Sequence, residues 1–428
     1  MFCISFLITR FDATHVQIYD VADRFDNQPQ ISDQNVWDRS NRNGGPTRGV
    51  KHYEKSTITN LERPSRILRT AIAFNNFSDD VLLYSSFIDY RNGNMDYPCV
   101  RMIILKRISA SVQLSCRFDE ELVEGTFYEL AENHLQRYGT YIISCKIPKR
   151  LNIDDVNEWI LTDGINSANI RAIYRIPKEQ SIRSYQFDYG ICVPFLFGTT
   201  YSGQRLVEFV ELNKLLGAQR IIIYTHKRSL ARDLQDALVY YSAQRLIELV
   251  EYEPAVLDVW YHGQLITITD CLYRDDLNVL FFRNMGVIRY LAFHDLDEFI
   301  IPVARHNLVT LFYDIFTSAI ASYRIPTRYF RIEKDVPITL NNKKSRKRLD
   351  SLLTKCVVRP EMIFEQGVHH TSRVIQDRYK CETLPSAYAT LHHYKKDIIT
   401  GKTFNNGIER FRQQLNESFQ SALHQIGL

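Results

Sequence analysis

The sequence lacks several features that would place it quickly in a functional class. Its eight cysteines include no C-x-x-C pair, so a zinc ribbon or a thioredoxin-like redox site has no basis. No segment approaches the roughly 20 consecutive apolar residues that a transmembrane helix needs. The formal net charge is only +4 over 428 residues, whereas nucleic-acid-binding domains usually concentrate basic residues strongly. We therefore expect no nucleic-acid partner.

The composition is that of a globular protein with a substantial core, because 45% of the residues are hydrophobic and 24% are charged. The length predicts two or three domains. The even number and wide spacing of the cysteines permit disulfides without requiring them. Two glycosylation sequons, at Asn76 and Asn416, mildly favour the secretory pathway.

The first part of the chain divides into two regions. Residues 1–60 are mostly polar and are predicted to form a stem or linker. The apolar run 1–8 at its start is either the stub of a truncated membrane anchor or a frayed terminus. Residues 61–185 contain short apolar runs, and those at 81–84, 100–105 and 141–145 predict the strands of a small β-rich domain.

Residues 186–400 have a different rhythm, in which short apolar strands alternate with amphipathic helices. The strands are predicted at 191–193, 220–224, 246–252 and 287–293, with a helix at 203–216. Pro194 should end the first strand because proline cannot donate to a central ladder. Ser229 is the predicted N-cap of a second helix. The alternation predicts a parallel α/β sheet, and residues 401–428 are predicted to form a helical tail.

The acidic run 294–298 follows the fourth predicted strand directly. Ligands of open α/β sheets bind beyond the carboxyl ends of the strands, and side chains two residues apart, such as Asp295 and Asp297, point the same way. Mg²⁺ and Mn²⁺ accept carboxylate, phosphate and water ligands. A cation bridging a diphosphate would stabilise the leaving group of sugar transfer from a nucleotide donor.

Two other interpretations of this run are weaker. A solvated turn rarely lies between two apolar runs, and here 299–302 is apolar again. Phosphotransferases with an aspartyl nucleophile place such a motif after the first strand of their domain, whereas here it follows the fourth.

Several ordered motifs resemble glycosyltransferase family 92, the DUF23 group that is abundant in nematodes. The strongest is YLAFHDLDEFIIP at 290–302, preceded by Gly263-Gln264 and by DCLYR at 270–274. The similarity extends over roughly residues 80 to 395. Its other blocks are LYSSFIDYR at 83–91, the strand 100–105, YGICVPFLFG at 189–198, KCVVRPEMIFEQGVH at 355–369 and LHHY at 391–394.

The resemblance implies a glycosyltransferase-A-like α/β fold, with a mostly parallel sheet, flanking helices and a small β-rich domain in front. It also implies Mn²⁺ or Mg²⁺ as cofactor and transfer with inversion. Characterised members of the family are Golgi membrane proteins, single-pass type II, which move galactose from UDP-galactose to core fucose of N-glycans. For this chain we expect a UDP-sugar donor, a glycan acceptor on a glycoprotein and a membrane anchor at the N-terminus. The alternative is an inactive relative that binds glycans or nucleotides.

The same resemblance suggests roles for the acidic run. Asp297 is the expected direct metal ligand, and Asp295 is expected to contact the ribose, or the metal through water. Glu298 either binds the metal or acceptor or satisfies a neighbouring backbone group. His369 is the expected metal ligand from the C-terminal side and fits the family pattern better than His370.

Other residues carry more than one interpretation. His393 is a weaker candidate, for diphosphate contact. Asp270 is either a helix N-cap or a nucleotide contact, and Arg274 is expected to pair with Asp275 or Asp276. The basic run 343–348 is typical of a solvated loop, although a nuclear or polyanion-binding role is the alternative. An inverting transferase needs a general base, and the sequence does not choose among its candidates, Glu333, Asp335, Glu361 and Glu365.

Overall fold

A computed structural model describes most of the chain after residue 68. The described residues are 69–71, 74–91, 98–134, 136–178, 182, 184–196, 198, 200–226, 230–274, 287–399, 401, 403–405 and 407–428. They all belong to one compact unit. Among them no helix is both long and apolar enough to cross a membrane. The predicted stem and its apolar start lie outside these residues, and the predicted domain boundaries stay predictions.

The described residues contain 24 strands and six α-helices. The first strands are β1 (Arg69–Ala71), β2 (Asn75–Ser78), β3 (Val81–Asp89), β4 (Cys99–Arg107), β5 (Ser115–Phe118), β6 (Glu121–Glu124), β7 (Thr126–Glu129), β8 (Tyr138–Lys146), β9 (Glu158–Thr162), β10 (Ser167–Arg171) and β11 (Tyr174–Ile176). The later strands are β12 (Phe187–Leu196), β13 (Arg220–Thr225), β14 (Ile247–Glu251), β15 (Ile288–Phe293), β16 (Glu298–Pro302), β17 (Ile320–Arg331), β18 (Lys344–Ser345), β19 (Asp350–Val358), β20 (Ile363–Gln366), β21 (Thr371–Val374), β22 (Lys380–Thr383), β23 (Ala389–Lys395) and β24 (Thr403–Phe404). The α-helices are α1 (Gly203–Leu215), α2 (Arg232–Ala243), α3 (Gln264–Tyr273), α4 (Leu308–Ile315), α5 (Ile338–Asn341) and α6 (Arg412–Ile426).

The first eleven strands form the expected β-rich region, apart from β1. One sheet has the order β11-β3-β4-β8-β7 with β2 on β3, and a second has the order β10-β9-β5-β6. Alternate apolar side chains of the two sheets, among them Ile104, Ile143 and Leu161, meet in a buried core. A disulfide between Cys116 and Cys145 links β5 to β8 across this core.

The largest sheet confirms the α/β class but is mixed. Strands β1, β14, β13, β12 and β15 pair in parallel in that order. Beyond β15 the sheet continues through the antiparallel strands β19 and β17. Helices α1, α2 and α6 bury apolar residues on one face, and α3 packs on the other, where a disulfide joins Cys192 to Cys271. Parallel pairing therefore governs one part of the sheet, from β1 to β15.

The prediction that the first strand of this sheet ends at Pro194 is wrong. Strand β12 runs through the proline to Leu196, and its register with β13 shifts between Val193 and Phe195. Such an irregularity absorbs the missing N–H without ending the strand. The predicted cap Ser229 lies outside the described residues, and α2 begins at Arg232 without a side-chain cap.

A buried ion-pair network ties the β-rich region to the C-terminal half of the chain. The Asp89 carboxylate binds Arg91 and Arg101, each at 2.9 Å, with all three side chains almost fully buried. Arg91 also donates to the carbonyl of Ile363 at 2.6 Å. Burial acts to raise the pKa of Asp89, but the two guanidinium groups outweigh it and the pKa is lowered. The network therefore joins the end of β3 to the start of β20 as fixed charges.

Removing the Asp89 carboxylate should destabilise the protein strongly. We expect Asp89→Ala to lower the free energy of unfolding by about 3–5 kcal/mol, because two guanidinium groups are left buried without their counterion. Urea unfolding measures this. The matched control is Asp80→Ala, whose ion pair with Arg107 has the same 2.9 Å distance but is about one third exposed. A similar loss in both variants would contradict the prediction.

Candidate active site

The acidic run lies where the sequence predicts it, between two strands and at the end of the large sheet where the parallel strands have their carboxyl ends. Strand β15 ends at Phe293 and β16 begins at Glu298, so residues 294–297 form the turn between them. The side chains of Asp295 and Asp297 are 32% and 20% exposed, whereas that of Glu298 is 3% exposed. Two carboxylates therefore face the solvent at the carboxyl end of the parallel strands, and the third is enclosed.

Glu298 shapes this turn. Its carboxylate accepts a hydrogen bond from the backbone N–H of Asp295 at 3.0 Å. It also contacts Lys355 Nζ at 3.3 Å and His393 Nδ1 at 3.1 Å. Burial acts to raise the pKa of Glu298, but Lys355 and His393 outweigh it and the pKa is lowered. Of the two roles left open by the sequence, the geometry places Glu298 in the one that satisfies a neighbouring backbone group.

Lys355 supplies the buried positive charge of the site. It lies on β19, and its ammonium group is 2.9 Å from Asp295 Oδ2 as well as close to Glu298. Burial acts to lower its pKa, but Asp295 and Glu298 raise it well above the ordinary value. Lys355 thus stays charged and reduces the repulsion among three neighbouring carboxylates.

Asp297 lies between a tyrosine and a histidine. Tyr201, just before α1, donates to Asp297 Oδ1 at 3.4 Å. His393 on β23 lies opposite Glu298 in the β16–β23 ladder, and its Nε2 is 3.6 Å from Asp297 Oδ2. Because Glu298 holds Nδ1, the ring presents Nε2 towards Asp297. A carboxylate that orients a histidine in this way is typical of metal sites.

The donor set fits a divalent cation that shares its shell with a substrate. Within the described ranges, no three histidine, cysteine, aspartate or glutamate side chains converge into a complete metal cage. Mg²⁺ in phosphate-transfer sites is commonly held by one or two protein groups, with substrate phosphates and water completing the shell. Asp297 offers a partly exposed carboxylate to such a shell, and the His393 imidazole lies beside it.

The other predicted histidines are close by in the chain but differ in their surroundings. His369 Nδ1 lies 3.1 Å from the carbonyl of Thr354, which leaves Nε2 for a further partner. Burial, and then the charge of Lys355, lower the pKa of His369. His370 instead lies 3.1 Å from Glu132, and this hydrogen bond raises its pKa. The His369 ring thus bonds to a backbone carbonyl, while His370 has a carboxylate partner in the β-rich region.

Asp270 is neither a helix cap nor exposed. Helix α3 begins at Gln264, so Asp270 lies inside it and the N-cap interpretation is wrong. Its fully buried carboxylate accepts hydrogen bonds from Tyr224 at 2.6 Å and Arg274 at 3.0 Å. Arg274 also lies 3.6 Å from Glu248, while its predicted partners Asp275 and Asp276 lie outside the described residues. This geometry gives no support to a nucleotide contact by Asp270.

The candidate bases are largely occupied by other groups. Glu361 binds Tyr185 at 2.9 Å and Arg359 at 3.1 Å. Glu365 is buried and accepts from Tyr128 and from the N–H of Ala131. Glu333 forms an exposed pair with Lys344 at 2.9 Å. No described contact places any of these three on the acidic run.

The basic run is partly engaged within the chain. Lys343 binds Glu409 at 2.5 Å, and Lys344 binds Glu333. Arg346 donates to the carbonyl of Ile399 at 3.1 Å and lies over the ring of Tyr329. These contacts favour a solvated face over a polyanion site.

Lys355 and Tyr201 contact the acidic run but are not among the residues that the sequence predicts for the site. Lys355 opens the block 355–369, and that position was the only available signal, because a lone lysine is not distinctive. Tyr201 had none. Each reaches the acidic run from a distant part of the chain, 60 residues away for Lys355 and Asp295 and 96 for Tyr201 and Asp297.

Two comparisons with known proteins bear on this site. The sequence profile of glycosyltransferase family 92 matches residues 187–425, which include the acidic run, Lys355 and His393. A beta-1,4-galactosyltransferase of Caenorhabditis elegans, galt-1, is 36% identical over 369 residues, which are 83% of this chain and 84% of that protein. Both findings confirm the resemblance predicted from the sequence motifs.

Replacing Lys355 should destabilise the folded protein in a pH-dependent way. We expect Lys355→Met to lower the free energy of unfolding at pH 7 by about 3 kcal/mol or more, because Asp295 and Glu298 lose their cation in a buried setting. Glu298 has a lowered pKa in the folded state. The stability from its ion pairs is thus present above its unfolded pKa of about 4.3 and lost as the pH falls.

The loss caused by Lys355→Met should therefore be largest at neutral pH and shrink towards pH 4, as measured by denaturant unfolding at both values. The matched control is Lys344→Met, which breaks an exposed ion pair of the same 2.9 Å length. We expect little change in that variant. A pH-independent loss in Lys355→Met would count against the ion-pair explanation.

Proposed function

We propose that this chain, which belongs to glycosyltransferase family 92, transfers a hexose to a glycan acceptor with inversion at the anomeric carbon. The proposed hexose is galactose, and the proposed donor is UDP-galactose. The observation that carries this proposal is the partly exposed Asp297 beside His393, whose ring is held by the buried Glu298, at the carboxyl ends of the parallel strands. Ligands of open α/β sheets bind at this edge. The name of the galt-1 relative supports galactose as the transferred sugar.

The fold proposed for this function is glycosyltransferase-A-like. The parallel order β14-β13-β12-β15 followed by the acidic turn supports it. In that frame the donor lies across the ends of these strands, with its diphosphate towards Asp297 and its ribose towards Asp295. Asp295 is oriented by Lys355, which leaves one carboxylate oxygen for the donor or for a bridging water.

The proposed cofactor is Mn²⁺ or Mg²⁺, held by Asp297 and by a histidine. When bound, such a cation neutralises the charge that grows on the leaving diphosphate. Glu298 fixes the His393 ring, Tyr201 restrains one oxygen of Asp297, and Lys355 keeps the carboxylates from repelling each other. These residues hold the ligand atoms in place before the donor arrives, which avoids reorganisation during the reaction.

The proposed acceptor is a glycan on a glycoprotein, with core fucose of N-glycans as the specific candidate. The proposed location is the Golgi lumen, with the chain anchored at its N-terminus. Two disulfides, Cys116–Cys145 and Cys192–Cys271, support an oxidising compartment. The sequon asparagines Asn76 and Asn416 are both exposed, as glycosylation requires.

The activity test is transfer of galactose from UDP-galactose to a core-fucosylated N-glycan, followed by linkage analysis of the product. We expect transfer to depend on Mn²⁺ or Mg²⁺ and to fall by a factor of about 10² or more in Asp297→Asn, because an amide cannot replace the anionic ligand. The control is Glu120→Gln, an exposed acid in the turn between β5 and β6, for which we expect unchanged transfer. Tight UDP binding without turnover across a panel of donors would indicate the inactive relative instead.

A second experiment distinguishes the two candidate histidine ligands. We expect His393→Ala to raise the Mn²⁺ concentration needed for half-maximal activity by about 10- to 100-fold, as loss of a metal-site group typically does. His369→Ala should have a smaller effect, because only His393 has a short described distance to Asp297. His424, exposed on α6, supplies the control His424→Ala. The opposite order of the two effects would assign the ligand to His369.

A further inference from the structure

The segment that joins β14 to α3 emerges at the same edge of the sheet as the acidic run. Strands β14, β13, β12 and β15 are parallel neighbours, so the residues after each strand leave at one edge. Residues 252–263 follow β14, and residues 294–297 follow β15. The connection therefore borders the proposed donor site, and none of the residues assigned to that site belongs to it.

Two aromatic side chains on this connection face outwards. The Tyr261 side chain is 53% exposed, and Trp260 is partly exposed beside it, with ring centroids 5.6 Å apart. Trp260 also packs against His134 of the β-rich region, with ring centroids 4.2 Å apart. Neighbouring exposed aromatics of this kind offer a broad apolar face with polar edges.

The backbone that presents these rings is in an unfavourable conformation. Tyr261 and His262 have φ angles of 48° and 56°, and Gly263 follows with 83°. Positive φ is rare for bulky residues, and such conformations cluster at ligand sites, where the surroundings enforce them. Here Tyr252 donates to the carbonyl of His262 at 3.1 Å, and a Cβ on Gly263 would lie 2.0 Å from the same hydroxyl.

The connection is also held from the side of the β-rich region. The N–H of Tyr138 donates to the carbonyl of Asp258 at 3.0 Å, and Arg137 pairs with the Asp258 carboxylate at 3.6 Å. Residues from two parts of the chain thus hold the backbone at Asp258 and at His262, on both sides of Trp260 and Tyr261.

The negative charge of the acidic run affects the pKa of Tyr261. Partial burial, and then the negative charge of Asp295, raise the pKa of the Tyr261 hydroxyl, with smaller effects of the same sign from Asp297 and an opposing effect from Lys355. The direction of this shift agrees with the position of Tyr261 in the topology, at the edge of the sheet where the acidic run lies.

We propose that Trp260 and Tyr261 form the acceptor subsite, on which a pyranose ring of the glycan stacks with its hydroxyl directed to the donor. The C–H face of a pyranose is apolar while its rim is polar, which suits an aromatic face beside a group of carboxylates. This inference rests on the proposed function and adds to it the residues that select the acceptor. The rigid backbone gives the rings a fixed place before the acceptor binds, which lowers the entropic cost of binding.

The test uses the full chain and separates the two substrates. Tyr261→Asn removes the ring but keeps a residue that tolerates positive φ, Trp260→Ala removes the second ring, and Tyr261→Phe retains the stacking face. We expect the KM for a core-fucosylated N-glycan oligosaccharide to rise about tenfold or more in the first two variants and to stay near wild type in Tyr261→Phe. The KM for UDP-galactose should change less than twofold. The control is Tyr388→Asn, which removes a tyrosine of similar exposure, 46%, elsewhere on the surface.

Calorimetric titration of the same oligosaccharide gives a readout that does not need catalysis. We expect the affinity to fall in Tyr261→Asn and Trp260→Ala but not in Tyr388→Asn. Unchanged acceptor KM and affinity in an active Tyr261→Asn would overturn the subsite and leave the proposed function intact. A wild-type protein that binds the oligosaccharide through Trp260 and Tyr261 but transfers no sugar would retain the subsite and reject the proposed activity. If the wild type shows neither binding nor transfer, both proposals fail.

Discussion

The ammonium group of Lys355 is the charge around which the exposed edge of the large sheet is organised. Three carboxylates within four residues would repel one another in a partly buried turn. Lys355 sits against two of them, at 2.9 Å from Asp295 and 3.3 Å from Glu298. With those two neutralised, Glu298 can remain ionised in the interior and accept from the Asp295 N–H and from His393. Asp297 is then the carboxylate of the run that is not paired with the lysine.

The acidic turn and Lys355 lie on neighbouring strands that differ in direction. The acidic turn follows β15, the last strand of the parallel series, while Lys355 lies on β19, its antiparallel neighbour. His393 arrives on β23, which pairs with β16 immediately after the turn. The change from parallel to antiparallel pairing at β15 therefore lets strands from the C-terminal half reach the same turn from two sides.

The sequence predicts well what depends on neighbours in the chain. The strands at 81–84, 100–105 and 141–145, the helix beginning at Gly203 and the acidic turn after β15 all have local signals, and the structure contains each of them. The failures also have physical causes. Proline lacks an N–H, which predicts a strand end at Pro194, but a register shift absorbs that defect. Of the two interpretations of Asp270, the cap fails because the residue lies inside α3, where its carboxylate binds Tyr224, 46 residues away. No local pattern can predict the contacts of Lys355, Tyr201 and His393 with the run, since each spans 57 or more residues.

The polar contacts between the β-rich region and the rest of the chain limit where the chain can be divided when parts of two relatives are combined. The family profile begins at residue 187, yet Arg91 donates to the carbonyl of Ile363, and Glu132 accepts from the N–H of Val368 at 2.6 Å. The stretch that the family profile matches is thus shorter than the stretch that these polar contacts join. A chimera that exchanged only residues 187–425 between relatives would leave buried guanidinium and carboxylate groups facing foreign partners. Chimeras should fold most readily when the β-rich region and residues 187–425 come from the same protein.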